Sequence, residues 1–368
     1  MCAKKKILLI DNSLYTTGAI LSALEISDQL KDKYTFIYIL PKKSNVFDLI
    51  KDRGFEVIGL PMLEINKSYR ILFYLPKLCL NAIRLLRIIN QKQIDIVHIN
   101  DIYNMLGVVL KIIHPRIKIV YAIRLLKTSY IAQMYSTFAT LVKRFADNIF
   151  CVSGAVQKDF GGFEYPEVIY TATVLENLPR WNGLNDPQKL SILYIGNYMR
   201  GKGQHWAVYA IAEVVRVYPL MQLTFVGGCN DSIQEEFKKE LQLLATELNV
   251  SKNLIFKGPT NEVEAVMKTA DVILNLSESE SFSRVCLDAL NYGIPLIASD
   301  CGGPSEITDN GRQAFLIPNK DFRAAAAALI QIIENPENAR YRAMCAKEYA
   351  RNKFSPDIAK LALERIYG

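Results

Sequence analysis

No Cys-x-x-Cys pair, no His-Glu-x-x-His signature and no Asp-x-Asp occurs in these 368 residues. The seven cysteines (Cys2, Cys79, Cys151, Cys229, Cys286, Cys301 and Cys345) are odd in number and scattered. That spacing removes support for a disulfide framework or a zinc cluster and points to a reducing compartment. With only His98, His114 and His205 as imidazoles, no dedicated metal site is expected. Missing too is any apolar run near the ~18–20 residues a membrane span requires. The longest apolar stretches are interrupted, as at Ile71–Ile89, which Pro76, Lys77, Arg84 and Arg87 break. At the start, the basic Lys4–Lys6 precede only Ile7–Ile10 before Asp11, shorter than the ~7–15 apolar residues of a secretory signal. This run reads as a first buried strand.

What is present is ordinary globular composition, 50% hydrophobic and 22% charged, at a length that implies two packed domains. The charge is uneven. Residues 1–178 carry 23 Lys and Arg against 15 Asp and Glu, whereas residues 179–368 carry 21 against 22. The excess gathers at Lys67, Arg70, Lys77, Arg84, Arg87 and Lys92, with no acid between Glu64 and Asp95. Apolar residues interleave there at helical spacing (Leu80, Ile83, Leu86, Ile89). Two readings stay open: a solvated basic helix face, or attraction to an anionic membrane surface or a lipid-phosphate substrate. Nucleic acid is not an expected partner, because no known nucleic-acid module accompanies the patch.

Short, continuously apolar runs alternate with helical segments. In the first half they are Lys6–Ile10, Tyr34–Leu40, Ile94–Ile99, Ile117–Ile123 and Asn148–Val152; in the second, Ser191–Ile195, Gln222–Val226, Asn253–Phe256, Val272–Leu276 and Leu296–Ala298. Such runs suit parallel strands buried on both faces. Helices are expected at Ala19–Leu30, His205–Tyr218, Asp231–Leu248, Glu262–Ala270 and Arg284–Tyr292. The fold class is α/β, with two doubly wound domains. The boundary is placed in the Pro-, Gly- and Asn-rich segment Leu178–Pro187.

In open α/β sheets, ligands sit beyond the carboxyl ends of the strands, beside helix starts. Four loops qualify. Gly196–Gly203 holds three glycines with Arg200 and Lys202, a geometry suited to a diphosphate or equally to a plain surface loop. Ser277–Ser283 carries carboxylates and serines ahead of the helix at Arg284; it would serve sugar hydroxyls, or merely cap that helix. Ser299–Glu306 follows one later strand, and Asn12–Gly18 follows the first.

Taken in order, these segments resemble a known family. Ala270–Ser277, Glu280-Ser281-Phe282-Ser283 and Asp288–Gly303 resemble the nucleotide-sugar half of the retaining glycosyltransferase family 4, group 1 glycosyl transferases of GT-B fold. Gly196 through Gly203 is similar to that family's Gly-Arg-x₄-Lys-Gly loop, and Phe145–Ser153 and Phe354–Asp357 resemble further family segments. The resemblance implies an acceptor-binding Rossmann-like domain over 1–180, a nucleotide-sugar-binding one over 187–350, the two facing a central cleft, and a tail over 351–368 packing back on the first. It implies that Lys202 contacts the donor diphosphate, Glu280 the transferred sugar and Asp288 the ribose. Ser281, Phe282 and Ser283 would line the donor, Gly18 would approach it, and Lys257 and Gly258 would hold the base. Arg124 and His98 would lie on the acceptor side.

The sequence departs from the family pattern at Asn197 (usually Arg), Arg124 (usually His), Ser281 and Ser283 (usually Gly) and Asp288 (usually Glu). Arg200 is the candidate to replace the missing cation. A retaining transfer in which the departing phosphate takes the acceptor's proton needs no metal, cofactor or dedicated base, only fixed positive charge at the leaving oxygens. The expected activity is therefore hexosyl or N-acetylhexosaminyl transfer from a nucleotide sugar to a lipid-linked or glycan acceptor. Bacterial capsule or O-antigen assembly is the expected setting, in the cytoplasm or at the inner membrane face. Two alternatives are a binding protein that keeps the donor pocket without turnover, and a Rossmann oxidoreductase, which would need the absent Gly-x-Gly-x-x-Gly.

Overall fold

Ile7, Leu8, Leu9 and Ile10 are all fully buried, as four consecutive aliphatic residues are only when a strand is covered on both faces. The computed structural model describes residues 4–62, 74–129, 132–162, 165–170, 189–260 and 262–368. The chain divides into two units, one formed by Met1–Val174 with Pro356–Gly368 and the other by Leu175–Ser355. The segment Leu178–Pro187, read above as the domain boundary, and the cations Lys67 and Arg70 lie outside the described residues.

The first unit runs β1 (Lys5–Ile10), α1 (Gly18–Leu30), β2 (Tyr34–Pro41), α2 (Phe47–Asp52), β3 (Glu56–Leu60), α3 (Tyr74–Lys92), β4 (Ile96–Ile99), α4 (Leu106–Ile113), β5 (Lys118–Ile123), α5 (Ala132–Phe145), β6 (Asn148–Cys151), α6 (Gly154–Phe160) and β7 (Glu167–Val168). Its strands form one parallel sheet in the order β3-β2-β1-β4-β5-β6-β7. The order reverses between β1 and β4, where Ile7 pairs with Ile96 and Ile10 with Ile99. There the following loops diverge and leave a crevice.

The second unit runs β8 (Ser191–Ile195), α7 (Gln204–Val214), β9 (Gln222–Val226), α8 (Ser232–Glu247), β10 (Leu254–Lys257), α9 (Val263–Met267), β11 (Val272–Asn275), α10 (Arg284–Tyr292), β12 (Leu296–Ser299), α11 (Gly303–Ile307), β13 (Phe315–Ile317), α12 (Phe322–Glu334) and α13 (Pro336–Lys353). The parallel order is β10-β9-β8-β11-β12-β13, with its reversal between β8 and β11. The last helix, α14 (Pro356–Tyr367), returns to the first unit and buries Ala359, Ala362, Leu363, Ile366 and Tyr367 in that unit's core. Tyr367 meets the Tyr34 ring edge-on at 5.4 Å, and Lys33 pairs with Glu364 at 2.7 Å.

Three strands escaped the sequence reading, each for a physical reason. β7 and β13 have two and three residues, too few to show any periodicity, and Gly59 interrupts the apolar run of β3. The stripe that α3 buries is also different: Leu78, Asn81, Ala82, Leu85 and Ile89 face the core. Leu80 and Ile83, counted above as part of an apolar helical spacing, face solvent at 52% and 49% exposure.

Candidate functional site

The loop after β8 and the loop after β11 meet at the second sheet's reversal point. Gly203 makes this possible. Its φ of +71° is the left-handed turn that starts α7, and a Cβ there would lie 1.9 Å from the Leu276 carbonyl oxygen. The Tyr194 hydroxyl ties the two loops together, donating to the Lys202 carbonyl and accepting from the Leu276 amide at 2.9 Å. Glu278 N–H also donates to the Gly201 carbonyl at 2.9 Å.

These ties bring Lys202 against Glu280, residues 78 positions apart, with Nζ and Oε1 2.6 Å from each other. The Ser277 hydroxyl donates to the same carboxylate oxygen at 2.9 Å. Glu280 is itself pinned by its backbone, which accepts from Gly303 N–H at 2.8 Å and donates to the Cys301 carbonyl at 3.2 Å. Burial alone would push the Lys202 ammonium toward its neutral form, but the Glu280 charge and hydrogen bond outweigh it and raise its pKa above the ordinary lysine value. The site therefore presents a permanent cation. Its neighbouring thiol does not compete as an anion, because burial pushes Cys301 up to about 11.

The remaining donor-side candidates take distinct places. Ser283 caps α10, its Oγ accepting from Cys286 N–H at 3.4 Å and from the Asn275 side chain at 3.0 Å. Its φ is +81°, a region that favours glycine, which accounts physically for the glycine of the family pattern there. Phe282 is buried edge-on against Phe354 at 5.7 Å, while Ser281 is half-buried ahead of the helix. Asp288 sits half-buried on α10. Lys257 and Gly258 are exposed at the end of β10, and the Lys257 carbonyl accepts from the Tyr198 hydroxyl at 3.1 Å.

Two candidates are otherwise engaged. The Asn197 side-chain oxygen accepts from Gly228 N–H at 3.1 Å, so this residue latches the β8 loop to the β9 loop. The Arg200 guanidinium pairs with Glu240 on α8 and lies 5.3 Å from the Phe237 ring centre, away from the Lys202–Glu280 pair. The reading of the residues did not single out Ser277 or Tyr194. Ser277 was visible as the first residue past its strand, whereas nothing in the sequence marks Tyr194, a buried strand residue.

Gly18, Arg124 and His98 belong to the first unit. Gly18 opens α1 directly after the capping Thr17. Arg124 is buried at the end of β5, its Nε bonded to the Asn100 side-chain oxygen, and Asn100 in turn donates to Asp11. His98 is 1% exposed, with Nδ1 2.6 Å from the Tyr367 hydroxyl and Nε2 without a partner. It is a core residue of β4 that meets the last helix. Burial first, then the nearby Arg124 charge, lowers its pKa to about 3. The folded His98 thus stays neutral while the unfolded one protonates near 6.5. Stability is therefore full above pH 6.5 and falls as the pH drops toward 3, by up to about 1.4 kcal/mol per unit from this group. Urea unfolding of His98→Phe should show a shallower pH slope between 6.5 and 5; parallel slopes would contradict the assignment.

Among the described residues no group of three His, Cys, Asp or Glu side chains is placed to hold a metal ion, and no helix is long and apolar enough to cross a membrane. What the site offers is one fixed ammonium, a carboxylate that holds it, and a helix start behind them.

Residues 177–353 match the protein-family model described as glycosyl transferases group 1. A D-inositol 3-phosphate glycosyltransferase of Corynebacterium urealyticum is 30% identical over 198 residues, 53% of this chain and 46% of that protein. An N-acetyl-alpha-D-glucosaminyl L-malate synthase of Bacillus anthracis is 27% identical over 201 residues, 55% of this chain and 51% of that one. The chain thus spans about half the length of these curated relatives. Among solved structures, Anabaena HepE in complex with UDP and glucose superposes over 98% of both chains with a TM-score of 0.83 at 21% identity. That likeness identifies the fold as GT-B.

Proposed function

We propose that this chain, whose residues 177–353 match the model of the glycosyl transferases group 1 family, moves a sugar from a nucleoside diphosphate to a growing glycan. The observation that carries the reading is the Lys202–Glu280 pair at the reversal point of the second sheet. A diphosphate leaving a sugar gains negative charge as the glycosidic bond breaks, and a preorganised ammonium stabilises that charge more in the transition state than in the ground state. Lys202 supplies it. Glu280, bonded to the same ammonium, sits where the sugar hydroxyls would be held, and Ser281, Phe282, Ser283 and Asp288 line the remainder of the donor. The reaction is retaining and metal-independent, with the departing phosphate taking the acceptor's proton. A UDP-sugar of hexosyl or N-acetylhexosaminyl type is the first donor to test, given the ligands of the Anabaena structure and the name of the Bacillus relative.

A thermal-shift series with UDP, GDP, ADP and their sugars tests this reading. A nucleotide at one hundred times its Kd stabilises the folded chain by about 2.7 kcal/mol. A chain that no nucleotide stabilises would end it. Because Asn197 and Arg200 are both committed elsewhere, a second reading is a donor-binding protein without turnover. Binding with neither transfer nor donor hydrolysis would favour that alternative.

The acceptor is read as lipid-linked, with the chain working peripherally at the cytoplasmic membrane face in capsule- or O-antigen-type assembly. The motive is α3, a helix without a single acid whose solvent side shows Leu75, Leu80 and Ile83 at 67%, 52% and 49% exposure beside Arg84 and Arg87. Apolar and cationic side chains on one exposed face suit an anionic lipid interface, each surface cation contributing about 1 kcal/mol. Leu80→Glu with Ile83→Glu, and separately Arg84→Glu with Arg87→Glu, should each reduce sedimentation with phosphatidylserine vesicles. Undiminished sedimentation in both would rule this surface out.

A further inference from the structure

Two carboxylates stand in Ser277–Ser283, and the transfer as read above uses only Glu280. Glu278 meets a different set of groups. Its Oε1 accepts from the Trp206 indole nitrogen on α7 at 3.2 Å, and His205 Nε2 lies 3.7 Å from the same oxygen. Its Oε2 pairs with the Lys320 ammonium at 2.8 Å. The Glu278 carbonyl accepts from the Asn319 side chain at 2.8 Å, and its N–H donates to the Gly201 carbonyl at 2.9 Å. One residue thereby ties the loop after β11 to the loop after β8, the first turn of α7 and the loop after β13.

Burial works against the Glu278 charge, but hydrogen bonds from Lys320 and Trp206 outweigh it and lower the pKa. Glu278 is thus an anion at neutral pH. Burial lowers the His205 pKa against the pull of Glu278, and the Arg200 and Lys320 charges add to the fall, so the imidazole stays neutral there. Lys320 is then the cation that balances Glu278. It does so from a backbone φ of +65°, a left-handed region where a residue with a Cβ is strained. A glycine would sit there at less cost but would leave Glu278 without its ammonium. The Lys320 side chain is 53% exposed, and ion pairs so open to water add little stability. Strain retained for a contact of small stabilising worth points to what the contact holds in place.

What it holds lies next to the chemistry. Gly201 precedes Lys202, and Glu278 stands two residues before Glu280, so a slip between the two loops changes the 2.6 Å contact of Nζ with Oε1. We propose that Glu278 is a positioning residue for the transfer, its ion pair with Lys320 holding both loops in the register that aims the Lys202 ammonium at the leaving phosphate. The inference rests on the transferase reading and adds to it a residue that acts through Lys202 and Glu280 rather than on the donor.

Release of the nucleoside diphosphate from UDP-glucose, GDP-mannose and ADP-glucose by the full chain tests this, with urea unfolding and UDP, GDP and ADP titrations on the same samples. Glu278→Ala should lower kcat about 10- to 100-fold, the range for reacting groups held out of line, with KM and nucleotide affinity within about twofold. Lys320→Gly should also lower kcat yet keep the parent's urea midpoint, because relief of the left-handed backbone offsets the lost ion pair. Lys320→Arg should restore the rate. Activity that falls at unchanged stability is what a merely structural contact would not produce. If Glu278→Ala fails to fold, Lys320→Gly and Glu278→Gln, which keeps an acceptor for Trp206, carry the test, each with reduced kcat expected. A kcat within about twofold of the parent in both would overturn the proposal, as would rate losses that track lost nucleotide affinity or a lowered urea midpoint. Parent turnover with unaffected variants removes Glu278 alone, whereas a parent that releases nucleotide from none of the three donors removes the transferase reading as well.

Discussion

Lys202→Ala should slow sugar transfer by about 30- to 1,000-fold, since removing one preorganised charge-stabilising group costs on the order of 2–4 kcal/mol of transition-state stabilisation. The loss should fall mainly on kcat at saturating donor, because the charge on the leaving diphosphate grows as the bond breaks. Lys202→Arg should recover part of the rate, limited by the fit of a planar group where Nζ now meets Glu280 Oε1 at 2.6 Å. The alanine variant also leaves the Glu280 side chain, 13% exposed, with Ser277 as its remaining side-chain partner and no cation beside it. Some loss of stability should therefore accompany the loss of rate, and urea midpoints measured beside the kinetics separate the two. Turnover within about twofold of the parent, with intact folding, would remove Lys202 from the mechanism.

Gly203→Ala should be the most damaging small substitution in the second unit. A left-handed backbone costs a residue with a Cβ roughly 1–2 kcal/mol. Here the added methyl would also lie 1.9 Å from the Leu276 carbonyl oxygen and 2.6 Å from its carbon. Backbone at the end of β11 cannot yield as a flexible side chain would, so one loop must move off the other. The loops that move are those that place Lys202 and Glu280. We expect about 3 kcal/mol of destabilisation, the upper end of the range for strain at a special backbone position, together with loss of nucleotide binding. A urea midpoint and a UDP titration unchanged from the parent would show that the close approach does not govern the site.

How much of this was legible beforehand depends on how local its cause is. Ser191–Ile195, Gln222–Val226 and Arg284–Tyr292 were read with the boundaries they have, because a continuous apolar run or a capped, Gly-terminated helix is written within a few neighbouring residues. Lys202 and Glu280 were each singled out from their loops, but their bond to each other was not foreseen. Nor was the diversion of Arg200 to Glu240, since α8 reaches that loop only through sheet packing. On α3 the sequence showed cations and apolar residues at helical spacing, yet which of them faced the core depended on tertiary packing, as against α4.

From its sequence alone this protein is an α/β chain of buried parallel strands, with glycine- and serine-rich loops at their carboxyl ends and its basic excess in the first half. Those features follow from short-range rules: two-sided burial demands unbroken apolar strands, and tight turns demand particular residues. Tertiary structure alone decided the order of the strands, and hence which loops become neighbours at each reversal point. It joined an ammonium and a carboxylate 78 residues apart. The reason is physical: a hydrogen bond or ion pair depends on separations of a few ångströms, and only the packed sheet sets these for residues distant in the chain.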